Sequence, residues 1–95
     1  MTRVRYTENL HRHVDVSACP GGVVDVGQVQ TVREALEVSF RQVPHLRGYV
    51  LDEGGELRHH LMIFVDGSHL KDRRHLTDSV TESTEIDVIQ ALSGG

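Results

Sequence analysis

A single amphipathic helix between short strand-like segments limits what this chain can fold into. The helix is predicted over residues 31–43, where the apolar residues recur with the spacing of one helical face: Val32, Ala35, Leu36, Phe40 and Val43. Thr31 followed by Glu34 is a capping-box pattern, in which the hydroxyl and the carboxylate each satisfy a free backbone N–H. Pro44 predicts the end of the helix, because proline disfavours helical geometry in the residue before it.

Short apolar or alternating segments predict the strands, which are expected at residues 3–6, 23–26, 61–65 and 85–91. Residues 14–16 either extend the first strand or begin its partner. Residues 49–51 and 57–59 flank a glycine-rich acidic stretch and predict a hairpin or a tight loop. One helix covers only one face of such a sheet, so the predicted fold class is α+β.

The stretch between the last two strands is polar and broken. Asp66-Gly67 predicts a turn at its start. Leu70, Leu76 and Val80 are its predicted apolar anchors.

Composition narrows the classes of partner. The 95 residues suit one domain, and the net charge of −4 argues against nucleic-acid binding, which usually needs a basic excess. The second half of the chain is the more acidic, which favours a basic protein partner. No apolar run approaches the ~20 residues of a membrane span, and the N-terminal residues lack the apolar stretch of a signal peptide. With a single cysteine, Cys19, the sequence predicts a cytoplasmic protein.

The sequence closes on Gly94-Gly95, directly after the last predicted strand. We expect residues 1–91 to form the domain and residues 92–95 to form a flexible tail. Glycines lack a Cβ, so such a tail threads a narrow channel and delivers the carboxylate of Gly95. A carboxylate is a poor electrophile until it is joined to a phosphate as a mixed anhydride. The alternative is a frayed end made of small residues, which is common at chain termini.

The order of elements and three stretches resemble the ubiquitin-like sulfur carriers. The stretches are residues 31–36, 61–67 and 91–95. This family includes the small subunit of molybdopterin synthase, the thiamine-biosynthesis sulfur carrier and carriers of cysteine and natural-product pathways. The resemblance implies a β-grasp fold, with a mixed sheet of four to five strands packed on one main helix. It also implies that the last strand runs parallel to the first at the centre of the sheet. Residues 8–19 are longer than the family pattern, which leaves the register of the first two strands open.

The resemblance further implies a carrier protein without catalytic residues or a bound cofactor. A ubiquitin-activating-type enzyme would use ATP and magnesium to adenylate Gly95, and a sulfur donor would displace AMP to leave a thiocarboxylate. The tail would comprise Leu92, Ser93 and Gly94, and a biosynthetic enzyme would accept the sulfur.

Two other functions share the tail. A protein modifier would be joined through Gly95 to lysines of other proteins, and Lys71 is the only lysine on which this chain itself could be extended. A binding module would instead place its tail in the active site of a partner enzyme.

A partner-binding patch is predicted on the outer face of the sheet. Alternation directs Leu61, Ile63 and Val65 to one side and Met62 and Phe64 to solvent. In the last strand Ile86 and Val88 point inward, whereas Ile89 and Ala91 point outward. Phe64 and Ile89 match positions of the apolar patch in the ubiquitin-like fold. The predicted patch is Met62, Phe64, Ile89 and Ala91, and the alternative is that this face packs on a loop or a second copy.

The seven histidines and Cys19 give no second site. His11 and His13 would share a face if their segment were a strand, but no carboxylate or thiolate stands at a metal-ligand spacing from them, so we predict surface histidines and no metal. Cys19 has no clear activating neighbour, so it is predicted to be a bystander thiol.

Overall fold

The computed structural model describes residues 2–6, 22–44 and 46–90. Its strands are β1 (Thr2–Tyr6), β2 (Val23–Gly27), β3 (Leu61–Val65), β4 (Ser68–His69) and β5 (Glu85–Gln90). Its helices are α1 (Val32–Gln42) and α2 (Leu46–Val50). The predicted strand at residues 14–16 and the long segment 8–19 lie outside the described residues.

The five strands form one mixed sheet in the order β2-β1-β5-β3-β4. β1 and β5 are parallel neighbours near the middle of the sheet, and the other pairings are antiparallel. This order confirms the expected β-grasp fold and the central place of the last strand.

Helix α1 forms where the sequence predicts it. The Thr31 side chain accepts a hydrogen bond of 3.2 Å from the backbone N–H of Glu34, which is half of the predicted capping box. The helix ends at Gln42, with Val43 as its C-cap before Pro44. Its apolar stripe lies against the sheet and is buried at Val32, Ala35, Leu36 and Phe40.

The core lies between α1 and the inner face of the sheet. Each of the longer strands contributes alternate residues to it: Val4, Tyr6, Val24, Val26, Leu61, Ile63, Ile86 and Val88. Ser39 is the buried polar residue of α1, and its hydroxyl lies 2.5 Å from the hydroxyl of Tyr6. That bond connects α1 to β1. It also stabilises the folded state, because a buried hydroxyl without a hydrogen-bond partner lowers the free energy of unfolding.

Of the two alternatives predicted for residues 49–59, a hairpin or a tight loop, the structure has the loop, and residues 49–51 form no strand. Residues 46–50 form the short helix α2, whose Leu46 and Val50 lie one turn apart and are both fully buried. Only a single bridge between Leu51 and Leu57 remains of the expected hairpin. The intervening loop is held by the Asp52 carboxylate, which accepts hydrogen bonds from the backbone N–H groups of Gly54 and Glu56.

The stretch between β3 and β5 follows the prediction. Asp66 and Gly67 turn the chain with φ values of 50° and 84°, the left-handed values of a two-residue hairpin turn. Farther along, the predicted anchors Leu70, Leu76 and Val80 are all buried.

Candidate functional site

Strand β5 determines where the tail leaves the domain. It is hydrogen-bonded to β1 on one side and to β3 on the other, and it ends at Gln90. The predicted tail residues Leu92, Ser93, Gly94 and Gly95 lie outside the described residues, as does Ala91 of the predicted patch. The tail therefore follows a strand that is fixed on both of its edges.

The outer face of the sheet, opposite α1, carries a row with one residue from every strand. From β2 to β4 the row is Val23, Arg5, Asp87, Phe64 and His69. Residues paired in this way have their side chains on one face and within contact distance of their neighbours. The row thus joins charged and aromatic side chains across the sheet.

The apolar patch, defined here as Met62, Phe64 and Ile89, lies on one side of this face. Met62 and Ile89 are cross-strand partners, and Phe64 follows Met62 on the same face of β3. All three side chains are half-buried, so they lie on the predicted face but are less exposed than the sequence suggested. Phe64 is partly covered by His69, whose ring centroid lies 4.6 Å away with the planes inclined at 43°.

An ion pair lies beside the patch. The Nε of Arg5 donates to the Asp87 carboxylate at 2.6 Å, and this hydrogen bond, with the charge of Asp87, raises the pKa of Arg5. Arg3, paired in register with Glu85, lies next along β1. A small cavity of about 90 Å³ is bounded by Arg3, Arg5, Val23, Glu85, Ile86 and Asp87.

The polarity of the outer face therefore changes along β5. Glu85 at the start of the strand is paired with Arg3, and Asp87 lies between Arg5 and Phe64. Ile89, near the end of the strand, is paired with Met62. The apolar end of the face is thus the end nearer to the tail.

A second polar cluster lies in the loop before β5. Asp72 accepts hydrogen bonds from the Thr77 hydroxyl at 2.6 Å and from the His75 N–H at 2.9 Å. These bonds, led by that of Thr77, lower the pKa of Asp72 to about 2. Asp78 accepts in turn from the backbone N–H groups of Lys71 and Asp72. Both carboxylates are engaged in holding the loop, so their role is structural.

Within residues 2–6, 22–44 and 46–90, no group of three or more histidine, cysteine, aspartate or glutamate side chains is placed to hold a metal ion. His11, His13 and Cys19 lie outside these ranges. Neither helix of the described part is long and apolar enough to cross a bilayer.

Comparison with known protein families gives one match over most of the sequence. The model of the ThiS family matches residues 16–95.

The chain belongs to the ThiS family.

Solved structures share the fold of this ThiS-family chain. A chain of the Amycolatopsis orientalis BexX/CysO complex aligns with a TM-score of 0.80 and 17% identity, and covers 100% of both chains. SAMP1 from Haloferax volcanii aligns with a TM-score of 0.73 and 22% identity, covering 99% of this chain and 98% of the other. The small archaeal modifier protein 1 from Methanosarcina acetivorans aligns with a TM-score of 0.74 and 20% identity, covering 99% and 95%. At these identities the likeness shows the fold alone, which is the ubiquitin-like β-grasp. No curated protein matches the sequence.

Two contacts of the outer face in this ThiS-family protein were not predicted from its sequence. The first is the ion pair between Arg5 and Asp87, which are 82 positions apart. The second is the contact of His69 with Phe64. The ion pair could have been found from the alternation of buried and exposed residues in β1 and β5, because it directs Arg5 and Asp87 outward once the two strands are paired in register.

Proposed function

We propose that this ThiS-family chain is a sulfur carrier that holds sulfur as a thiocarboxylate on Gly95. The observation that carries the proposal is the position of β5, which is held between β1 and β3 and is followed at once by the five residues that end in Gly94-Gly95. A tail that follows a fixed strand has a defined origin, so an enzyme that binds the domain finds the tail at a constant place. The family match through residue 95 supports the same reading.

The proposed chemistry takes place in partner enzymes. The Gly95 carboxylate attacks the α-phosphate of ATP, which forms an acyl adenylate and releases pyrophosphate. Sulfide or a protein persulfide then attacks the carbonyl carbon, and AMP leaves as the C–S bond forms; with a persulfide, a reductant releases the carrier as its thiocarboxylate. ATP and magnesium belong to the activating enzyme, and the chain itself binds no cofactor in this proposal. We expect it to be a cytoplasmic carrier and not an enzyme.

The outer face is the proposed docking surface for the activating enzyme. The apolar patch of Met62, Phe64 and Ile89 lies at the end of the face nearer to the tail. We expect Ala91 to extend it, since alternation along the strand directs that residue to the same face. An enzyme that covers this patch has the tail beside its docking surface, as capture of Gly95 requires. One of the similar structures comes from a complex, which agrees with a domain that functions while bound.

Intact mass spectrometry tests the carrier proposal. The protein is incubated with ATP, magnesium, sulfide and an enzyme of the ubiquitin-activating type. The expected product is heavier by the replacement of one oxygen by sulfur, and fragmentation places the change at Gly95. A variant that lacks Gly95 is the control, and its melting temperature should equal that of the full chain, because glycine has no side chain to contribute to a core. If the truncated variant gains sulfur equally well, Gly95 is not the carrier group.

Protein modification is the second candidate, because two of the similar structures are of proteins called small archaeal modifiers. The same adenylate would then be attacked by a lysine amine, with loss of AMP and formation of an amide. Supplying sulfide and a lysine-containing acceptor protein together, so that both compete for the adenylate, separates the two functions. A covalent adduct through Gly95 supports the modifier, whereas a thiocarboxylate formed in preference to any adduct supports the carrier.

A further inference from the structure

The outer face exposes the guanidinium of Arg5 on β1, beside the central strand β5. Arg5 and Asp87 form an ion pair, but their side chains are 62% and 20% exposed, respectively. Asp87 is therefore largely covered, whereas Arg5 is open to a docking protein. The difference means that an approaching surface meets a positive charge although the pair as a whole is neutral.

Asp87 also fixes how that guanidinium is presented. The contact of 2.6 Å is made through Nε, and within the described part of the chain the two terminal nitrogens, Nη1 and Nη2, have no hydrogen-bond acceptor. A guanidinium held by one carboxylate loses little additional side-chain freedom when it binds a second. Its free edge has the geometry to bind a carboxylate with two parallel hydrogen bonds.

Other charged residues surround Arg5 on this face. Arg3 projects from the same face of β1, is exposed, and forms no ion pair with any described residue. Its register partners Glu85 and Asp25 are both exposed, so the exposed charges of Arg3 and Arg5 are matched by two exposed carboxylates. Arg5 differs from Arg3 in that its own ion-pair partner, Asp87, is mostly covered. Val23, 36% exposed, adds an apolar wall to the cavity of about 90 Å³.

We propose that Arg5, oriented by Asp87 and assisted by Arg3, binds an acidic side chain of the activating enzyme. The inference rests on the proposed function, because it places this contact on the same docking surface as the apolar patch. The patch supplies the apolar contact near the tail. The acidic group bound at Arg5 is a second contact point, so it fixes the orientation of the domain on the surface of the enzyme. Electrostatic complementarity of this kind contributes mainly to specificity and association rate.

A charge-swap variant tests the contact without removing the ion pair. Arg5→Asp combined with Asp87→Arg keeps one acid and one base at the two positions but presents the partner with the opposite arrangement. We expect the KM for the carrier in ATP-dependent pyrophosphate release to rise about tenfold, equivalent to about 1.4 kcal/mol of binding, with kcat little changed. The increase should shrink at high salt, since added ions screen exposed charges.

A matched control is the swap Glu56→Arg with Arg74→Glu. That pair has its charged atoms 3.8 Å apart and lies on the helix side of the sheet, where the neighbouring Gly55 carbonyl accepts from Arg33 of α1. We expect its KM to equal that of the wild type.

The outcomes separate this inference from the proposed function. If no activating enzyme modifies the wild-type chain, the proposed function fails. If the wild type is modified and the Arg5/Asp87 swap has the wild-type KM at low salt, the proposed function stands and this inference is overturned. Should the swap variant not fold, Arg3→Gln replaces it, because no described residue forms an ion pair with Arg3. An unchanged KM for Arg3→Gln at low salt would then overturn the inference.

Discussion

Among single residues, Asp72 shows how one carboxylate can hold a loop in place. It accepts from the hydroxyl of Thr77 and from the backbone N–H groups of Arg74 and His75. The turn it stabilises leads to Leu76, a fully buried residue at a positive φ of 59°. A leucine rarely adopts this conformation, so the hydrogen bonds around Asp72 offset a local backbone cost.

The lowered pKa of Asp72 predicts a pH dependence of stability. Because the folded-state pKa is about 2 and the ordinary value is 3.8, the carboxylate stabilises the folded state above pH 3.8. That contribution is lost as the pH falls from 3.8 through about 2. Asp72→Asn should therefore be less stable than the wild type at pH 7, and the two should converge near pH 2. Urea unfolding of both proteins across this range measures the difference, and a constant difference at all pH values would contradict the assignment.

Among the elements, the hairpin of β3 and β4 depends on the backbone of its turn. Gly67 has φ +84° with open space around the position of a Cβ, so the cost of a side chain there comes from the backbone alone. Asp66 ties the turn to β5, because its N–H donates to the Glu85 carbonyl and its carboxylate accepts from the Glu85 N–H. The turn thus positions both the short strand β4 and the start of β5.

Two glycine variants with equally open surroundings isolate the effect of a positive φ on stability. Gly67→Ala is expected to lower the free energy of unfolding by about 1 kcal/mol, because alanine disfavours a positive φ. Gly48→Ala, in helix α2 with equally open surroundings, is expected to raise it by about 0.5 kcal/mol, because alanine restricts the unfolded chain. Equilibrium unfolding of both variants measures the two effects, and a shift of the same sign in both would refute the argument.

Elements with a strong local pattern were predictable from their residues, and the pairing of the first and last strands was expected from the family resemblance. The side-chain contacts across that pairing were not predicted. Helix α1 has its own cap, stripe and stop signal, so its sequence suffices. Tyr49 and Val50 favour strands locally, yet Leu46 and Val50 are buried one turn apart in α2, so tertiary packing overrode the local preference. The apolar patch followed from alternation, whereas the Arg5–Asp87 pair depends on the register between β1 and β5. No local pattern encodes that register.

At the scale of the whole molecule, the inner and outer faces of the sheet have separate roles. The inner face packs on α1 and supplies the core, whereas Met62, Phe64 and Ile89 on the outer face are only half-buried. Changes on the outer face should therefore affect docking more than folding.

A double variant of the patch tests this separation. Met62→Gln with Ile89→Thr is expected to raise the KM for the carrier in adenylation at least tenfold, because it removes apolar surface from the proposed docking face. Its melting temperature should fall only slightly, since both side chains are half-buried in the free protein. Val38→Thr, a half-buried position on α1, is the control and should retain the wild-type KM. An equal rise in KM for the control would locate the docking surface elsewhere.

The parallel pairing of β1 and β5 also determines how the domain resists mechanical force. β1 begins at Thr2 and β5 ends at Gln90, and in parallel neighbours these two points lie at opposite ends of the shared hydrogen-bond ladder. Tension between them acts along the strands, so the hydrogen bonds between β1 and β5 are loaded in shear together and do not open one at a time. β5 is also bonded to β3 on its other edge, so it cannot be peeled away as a free edge strand. An enzyme that grips and pulls the tail therefore acts on the strand that the sheet anchors most firmly.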